Sequence, residues 1–82
     1  MMNYKTQGVC SRAIHFDVVD NKVTNVAFEG GCSGNTQGVA ALVEGMDIDE
    51  AIRRMEGIGC GFKSTSCPDQ LATALKQYKA QN

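Results

Sequence analysis

The sequence lacks the features that identify membrane and secreted proteins. No apolar run among its 82 residues approaches the ~20 residues that a membrane-spanning helix needs. Residues 1–6 read Met-Met-Asn-Tyr-Lys-Thr and contain no hydrophobic stretch of the kind that a signal peptide requires. We therefore expect a cytoplasmic protein that does not act at a membrane.

A large excess of charge of one sign is also absent. Eight Lys and Arg residues against nine Asp and Glu residues give a formal net charge of −1. A nucleic-acid backbone or an anionic membrane attracts a protein through a strong basic footprint, so we expect neither as the main partner. A chain of this length builds one hydrophobic core, and we expect one domain over residues 1–82.

Residue types for hydrolytic catalysis are scarce. His15 is the only histidine and the carboxylates are not clustered, so neither a catalytic triad nor a carboxylate pair is supported. His15 falls on the outward side of its strand, which favours a solvated histidine over a ligand or a base. Residues 30–36 lack the lysine of a Walker motif and the glycine spacing of a dinucleotide-binding loop. A tight turn between a strand and a helix is therefore favoured there over a phosphate site.

The first third of the chain has the pattern of β-strands. Ile14, Phe16 and Val18 alternate with polar residues, as in a strand with one buried face. Residues 23–28 are β-branched and aromatic, with Val26 and Phe28 on one face. Turn-forming residues at 20–22 join the two segments. The pattern predicts a hairpin, and a short strand around residues 4–6 is expected to add an edge.

The rest of the chain predicts three helices. Apolar residues recur in three segments at the spacing of one helix face. They are Val39, Leu42, Val43 and Met46; Ile48, Ala51, Ile52 and Met55; and Leu71, Ala74, Leu75 and Tyr78. Asp47 and Glu50 have the spacing of a capping box for the second helix, and Pro68 is expected at the first position of the third. Strands followed by helices favour an α+β fold, an antiparallel β-hairpin or small sheet with three helices packed on one face.

The hairpin also gives an expectation for two cysteines. If the buried faces match across a three-residue turn centred on Asn21, Phe16 lies opposite Val26 and Cys10 lies opposite Cys32. A bulge at residues 30–31 would shift this register by one residue. Both thiols would still lie at the open end of the hairpin.

The other two cysteines belong to a glycine-rich segment, residues 57–67. Cys67 precedes Pro68 and is expected at or near the N-cap of the third helix, and Cys60 lies within the loop before it. Cys32 is expected just before the first helix. A helix N-terminus favours negative charge and therefore the thiolate form of a cysteine.

Four cysteines in a reducing compartment point to metal binding or redox chemistry before structural disulfides. We predict that Cys10, Cys32, Cys60 and Cys67 hold a metal ion. Four thiolates bind zinc tetrahedrally at about 2.3 Å, and iron or an iron–sulfur cluster, ranked second, uses the same donors. Their spacing contains no Cys-x-x-Cys pair, which weakens the pattern of a zinc site.

Two alternatives remain open at this point. In the first, the chain is a small thiol-redox protein in which Cys67 is the nucleophile and Cys60 or Cys32 the resolving thiol. In the second, the cysteines are small core residues that pack between sheet and helices.

Residues 65–69 read Thr-Ser-Cys-Pro-Asp, the signature for which the TSCPD domain family is named. Residues 28–35 and 57–61 also resemble that family's glycine–cysteine turn and its third cysteine segment. The resemblance runs from about Arg12 to Leu75. Domains of this kind occur as small stand-alone proteins and as the C-terminal domain of ribonucleotide reductases, notably cobalamin-dependent ones.

The resemblance implies an accessory module related to ribonucleotide reductase, with that enzyme or another larger protein as its partner. The chain is too short for the catalytic barrel of a reductase, so we do not expect an autonomous enzyme. The name ribonucleoside-diphosphate reductase, if transferred by homology, would describe the relatives and not an activity of these residues. Because C-terminal cysteines of reductases also carry electrons to the active site, the resemblance is compatible with the redox alternative.

Overall fold

The computed structural model describes residues 2–6, 11–30, 33–59 and 65–81. Within these ranges, an antiparallel sheet is followed by helices, which confirms the predicted α+β fold. The strands are β1 (Met2–Lys5), β2 (Ser11–Val19) and β3 (Lys22–Gly30). The helices are α1 (Ser33–Val43), α2 (Ile48–Met55) and α3 (Cys67–Gln81). The strand order is β1-β2-β3, so the predicted N-terminal edge strand is present beside β2.

The turn of the β2–β3 hairpin has two residues, not the three that we predicted. Val19 pairs with Lys22, which leaves Asp20 and Asn21 as the loop, with φ angles of 53° and 63°. Positive φ at both central residues is the requirement of a type I′ turn, which matches the twist of the two strands. Asp and Asn tolerate this left-handed conformation better than other non-glycine residues.

A β-bulge in β3 reverses the alternation that the sequence suggests. His15 pairs with Ala27 and Asp17 with Thr24, so β3 has one residue more than β2 between these pairs. Asn25, in the bulge, has a φ of 54°. The extra residue switches which side chains face inward.

The consequence of the bulge is that Val23 joins the core. Val23 is fully buried and Phe28 packs against the same hydrophobic core. Without the bulge, two residues five positions apart in one strand would point to opposite faces of the sheet. The side chain of Asn25 donates a hydrogen bond to Asp17 Oδ2 at 3.1 Å. Its backbone N–H donates to Glu44 Oε1 at 2.9 Å, which joins the bulge to the end of α1.

A second irregularity lies at the open end of the hairpin. Ile14 pairs with Phe28 as predicted, but Ser11 pairs with Gly30 because Arg12 is an extra residue in β2. The uniform register that we predicted is therefore wrong by one residue here. Cys10 and Cys32 lie outside the described residues, so their pairing stays a prediction.

Helix α2 forms as its local sequence predicts. Its N-cap is Asp47, whose carboxylate accepts hydrogen bonds from the N–H groups of Asp49 and Glu50. The carboxylate of Glu50 pairs with Arg53 and Arg54. All four residues of the predicted apolar stripe are buried: Ile48, Ala51, Ile52 and Met55.

Helix α1 differs from its predicted stripe in two residues, Leu42 and Met46. Val43 is 4% exposed, whereas Leu42 is 77% exposed. The helix ends at Val43, and Met46 belongs to the connection that follows. That connection runs beside β3, where Gly45 N–H donates to the Val23 carbonyl at 2.7 Å and Val23 N–H to the Met46 carbonyl at 2.9 Å.

The core lies between the inner face of the sheet and the helices. Ile14, Phe16 and Val23 of the sheet pack with Leu71 and Leu75 of α3, and each of these five is at most 2% exposed. Tyr78, near the end of α3, meets Phe16 edge to face with ring centroids 6.5 Å apart. In the described part of the chain, no helix has the length and apolar character needed to cross a membrane.

Candidate functional site

Of the four predicted site residues, the structure describes Cys67. It is the first residue of α3 and is half-buried. Cys10, Cys32 and Cys60 lie outside the described residues. The structure therefore shows the surroundings of one cysteine directly and, for the other three, the residues that flank them in the chain.

Ser66, not Cys67, is the N-cap of α3. The Ser66 hydroxyl accepts a hydrogen bond from Asp69 N–H at 3.2 Å, and the Ser66 carbonyl accepts from Gln70 N–H at 2.8 Å. Pro68 is consequently the second helical residue and not the first, as we had predicted. A serine hydroxyl is a strong N-cap acceptor, which explains why the helix begins one residue earlier than expected. Cys67 thus lies in the first turn, at the positive end of the helix.

The Ser66 side chain also joins α3 to the chain segment that follows α2. Its hydroxyl donates a hydrogen bond to the Ile58 carbonyl at 2.7 Å, and Ser66 is 5% exposed. Ile58 is two residues before Cys60 in the chain, and Ser66 directly precedes Cys67. The Ser66 side chain therefore links the segment that precedes Cys60 to the residue that precedes Cys67.

Asp69 makes a second connection at the same place. Its Oδ1 accepts from Gly57 N–H at 2.6 Å, and its Oδ2 accepts from the Thr65 hydroxyl at 2.5 Å. Gln70 Nε2 donates to Thr65 Oγ1 at 3.0 Å. Thr65, Ser66 and Asp69 of the Thr-Ser-Cys-Pro-Asp segment are thus all held in a hydrogen-bond network. This network was not predicted from the sequence, although the spacing Ser-x-x-Asp at 66–69 resembles a capping box and could have indicated the bond between Ser66 and Asp69.

Pro68 lines an apolar groove of about 300 Å³ between the helices. The exposed side chains of Leu42 and Ile58 contribute to it. The remaining lining residues are Val39, Val43, Met46, Arg54 and Met55. Val39, in the middle of α1, and Pro68, in the first turn of α3, therefore line the same groove.

The flanks of Cys10 and Cys32 lie together at the open end of the hairpin. Ser11, which follows Cys10, pairs with Gly30. Ser33, which follows Cys32, is the first residue of α1. Arg12 also accepts a backbone hydrogen bond from Thr6 N–H at 3.1 Å, so β1 ends near this point as well.

His15 lies on the face of the sheet opposite the core, the side predicted from the alternation. Its Nδ1 contacts Asn3 Oδ1 of β1, and its Nε2 contacts Glu29 Oε2 of β3. The three side chains form a polar row across the three strands. This row depends on the strand register, so the sequence alone gave no signal for it.

Among the described residues, no three or more His, Cys, Asp or Glu side chains are grouped so that they could hold a metal ion. Because three of the four cysteines lie outside those residues, the four-cysteine site stays a prediction.

Comparison with known proteins gives a family. Among curated proteins and among solved structures, nothing matches the chain. The family model of the TSCPD domain matches residues 2–79, which is nearly the whole chain. The match includes every strand of the described sheet, the three helices up to residue 79, and the Thr-Ser-Cys-Pro-Asp segment at the start of α3. The chain therefore belongs to the TSCPD domain family.

Proposed function

We propose that this TSCPD domain is a metal-binding accessory module in which Cys10, Cys32, Cys60 and Cys67 supply four thiolates to one metal centre. Zinc is the first candidate, and iron or an iron–sulfur cluster the second. The observation that carries the proposal is the hydrogen bond from Ser66 to the Ile58 carbonyl. This bond links Ile58, two residues before Cys60, to the residue that precedes Cys67.

Covalent geometry limits how far apart Cys60 and Cys67 can be. Two residues of extended chain span at most about 7 Å, so the Cα atom of Cys60 lies within that distance of the Cα atom of Ile58. Ile58 is itself hydrogen-bonded to Ser66, the neighbour of Cys67. These limits are compatible with two thiolates that share one ion.

A similar limit holds for Cys10 and Cys32. Ser11 and Gly30 are register partners in the sheet, and directly opposed residues have Cα atoms about 4.5–5.5 Å apart. Cys10 is one residue from Ser11, and Cys32 is two residues from Gly30. Each pair of cysteines is therefore close in the chain to two described residues that are in contact, Ile58 with Ser66 in one case and Ser11 with Gly30 in the other. The proposal requires that the two pairs bring all four sulfur atoms together.

The donor set fits the proposed metals. Thiolates are the preferred ligands of structural zinc and of iron–sulfur clusters. A small domain has a limited core, and the binding free energy of a structural metal contributes directly to folding. We therefore expect that removal of the metal destabilises the domain.

The proposed partner is a larger enzyme, with ribonucleotide reductase as the first candidate. Domains of the TSCPD type resemble this chain and occur at the C-terminus of such reductases. In this proposal the module performs no reaction of its own and serves the enzyme to which it binds.

A second candidate function is thiol–disulfide exchange by Cys67 with Cys60 or Cys32. The partial exposure of Cys67 in the first turn of α3 favours it, because a thiol that attacks a disulfide substrate must be accessible to it. In the reaction, two thiols would lose two electrons and two protons to a disulfide substrate, which would be reduced to two thiols.

The two candidates are separated by metal analysis together with thiol titration. The protein is purified without chelators and without a His-tag, its metal content is determined per chain, and its reaction with a thiol reagent is followed near neutral pH. Stoichiometric zinc or iron with four slowly reacting thiols supports the metal module. Metal-free protein with one fast thiol contradicts it and supports the redox protein.

A Cys67→Ser variant adds an independent readout. A metal ligand is required for the stability of the folded domain, so the metal module predicts a large loss of stability. A redox nucleophile predicts a folded protein that has lost its fast thiol.

A further inference from the structure

One edge of the sheet is open in the part of the chain that the structure describes. β1 ends the strand order, and among the described residues no strand lies on its far side. At the other edge, the start of β3 is already bonded, because Val23 makes backbone hydrogen bonds to Gly45 and Met46. An edge strand presents N–H and C=O groups that can pair with a further strand. β1 is therefore the edge at which the sheet can be extended.

The pairing of β1 with β2 decides which backbone groups of β1 point outward. Thr6, which follows β1, donates its N–H to the Arg12 carbonyl at 3.1 Å and continues the register of the two strands. In an antiparallel ladder, hydrogen-bonded pairs alternate with pairs that exchange no hydrogen bonds. Tyr4 therefore bonds to β2, whereas the N–H and C=O groups of Asn3 and Lys5 are directed to the open edge.

We propose that a second copy of the chain pairs with this edge, so that two β1 strands run antiparallel across a two-fold axis and form one six-stranded sheet. In the proposed register, Asn3 of each copy lies opposite Lys5 of the other, and each of these two pairs exchanges two backbone hydrogen bonds. Tyr4 lies opposite Tyr4 between them. The interface is isologous and does not depend on metal binding or on thiol exchange.

The charge of Lys5 favours this register over its neighbours. If the second strand is shifted by two residues in one direction, Lys5 lies opposite Lys5, and like charges directly opposite each other destabilise a sheet. If it is shifted in the other direction, Asn3 lies opposite Asn3, and this is the only pair within β1 that exchanges hydrogen bonds. The proposed register avoids the repulsion and uses the outward backbone groups of both residues.

The inner face of β1 also fits a second copy. Met2 and Tyr4 pack against the hydrophobic core but remain partly exposed. Together with Tyr78 of α3, they line a groove of about 320 Å³ between β1 and α3. Opposed residues in a pair without hydrogen bonds have Cα atoms about 4.5 Å apart. The two Tyr4 side chains therefore meet on the inner face and extend the core across the two-fold axis, as a cross-strand aromatic pair that stabilises the sheet.

The size of the contact sets its strength. The four residues of β1 span about 13 Å, which gives an interface at the small end of the range, and we expect a dissociation constant of roughly 10 μM to 1 mM. Because the first residues of β3 are already bonded to their own chain, addition of strands at that edge is hindered, and the assembly closes as a dimer.

Sedimentation equilibrium of the full-length protein tests the dimer. The protein is used as purified, without chelators, and a phosphine reductant prevents disulfides between chains. The expected result is a reversible monomer–dimer equilibrium at concentrations up to about 1 mM. Over the same range, hydrogen–deuterium exchange of the backbone amides of Asn3 and Lys5 should slow as the concentration rises, because these amides become hydrogen-bonded in the dimer.

Two variants of Asn3 form a matched pair. Asn3→Glu places a carboxylate opposite Lys5 of the second copy, and Asn3→Lys places a second cation there. Both variants lose the same contact with His15. Since the interface contains this pair twice, the dissociation constant of Asn3→Lys should be at least about fivefold that of Asn3→Glu, and the difference should shrink in added salt. Equal constants for the two variants overturn the proposed pairing.

Two further variants distinguish this edge from another exposed surface. Proline is tolerated on an edge strand where the replaced N–H faces solvent, so Lys5→Pro should stay folded, as checked by circular dichroism, and weaken the dimer at least about tenfold. Leu42 is exposed at the apolar groove of the helices, outside the proposed interface, and Leu42→Ser should leave the dissociation constant within about twofold.

Each outcome decides the proposal. A dimer that is lost in Leu42→Ser but kept in folded Lys5→Pro is formed through the apolar groove and overturns it. If Lys5→Pro does not fold, the two variants of Asn3 decide. A parent chain that stays monomeric at about 1 mM also overturns the proposal, and the open edge of β1 is then left for a strand of another protein.

Discussion

The hydroxyl of Ser66 lies 2.7 Å from the carbonyl oxygen of Ile58 and at the same time caps α3 by accepting from Asp69 N–H. A single buried side chain thus starts the last helix and fastens to it the segment that follows α2. The family signature therefore has a structural role, in which Ser66 connects two segments of the chain, in addition to carrying Cys67.

Replacement of Ser66 should lower the stability of the domain, although only one hydroxyl group is removed. Ser66→Ala removes the N-cap acceptor and leaves the Ile58 carbonyl without its hydroxyl donor, and we expect a loss of about 1–2 kcal/mol in the free energy of unfolding. Urea denaturation measures the loss. Thr73→Ala is the control, since the Thr73 hydroxyl donates to the Asp69 carbonyl within the same helix; an equal loss in both variants would contradict the role given to Ser66.

Two leucines provide a matched test of the packing. Leu71 is fully buried and Leu42 is 77% exposed. Leu71→Ala should lower the free energy of unfolding by about 2–5 kcal/mol, whereas Leu42→Ala should change it by less than about 0.5 kcal/mol. Thermal or urea unfolding of both variants decides the point, and a large loss for Leu42→Ala would mean that its side chain is covered in solution.

The left-handed conformation of Asn25 gives a prediction about the bulge. Asn25→Val places a β-branched side chain at a φ of 54° and should cost about 1–2 kcal/mol through backbone strain. Asn25→Gly has no such strain and should retain more stability, although it loses the hydrogen bond to Asp17. If Val were tolerated better than Gly in urea unfolding, the bulge would not have the conformation described above.

The same asparagine should affect the titration of Asp17. The hydrogen bond from the Asn25 side chain lowers the pKa of Asp17 below its ordinary value of 3.8. Since the folded pKa is the lower one, the bond contributes stability above the unfolded pKa, and this contribution is lost as pH falls through the folded pKa. Asn25→Ala should therefore raise the pKa of Asp17 toward 3.8.

Carboxyl NMR titration measures this change. The pKa of Glu50, which is lowered mainly by its hydrogen bond with Arg54, should stay the same in the variant and serves as an internal control. A pKa of Asp17 that does not respond to the loss of the Asn25 side chain would show that another group sets it.

Much of the fold could be predicted from local patterns in the sequence. Helix α2 was predictable because its cap, Asp47, and its buried stripe both lie within a few residues of each other. The strands were predictable from alternation, but Val23 was not placed in the core, because the bulge that turns it inward is defined only against the partner strand. Leu42 was placed wrongly because periodicity gives the spacing of an apolar face and not which part of it a neighbouring sheet covers.

The candidate site shows the same division. The position of Cys67 at the start of α3 followed from its neighbour Pro68 to within one residue. The attachment of residues 57–58 to the first turn of α3 depends on contacts between segments eight or more residues apart, which no local pattern specifies. The mutual arrangement of all four cysteines depends on contacts over still longer separations, and it stays a prediction.

X-ray absorption spectroscopy of the zinc-loaded, full-length protein tests the central claim most directly. If Cys10, Cys32, Cys60 and Cys67 bind one ion, the first coordination shell contains four sulfur atoms at about 2.3 Å. Fewer than four sulfur atoms per zinc, or failure to load one zinc per chain, would contradict the four-thiolate site.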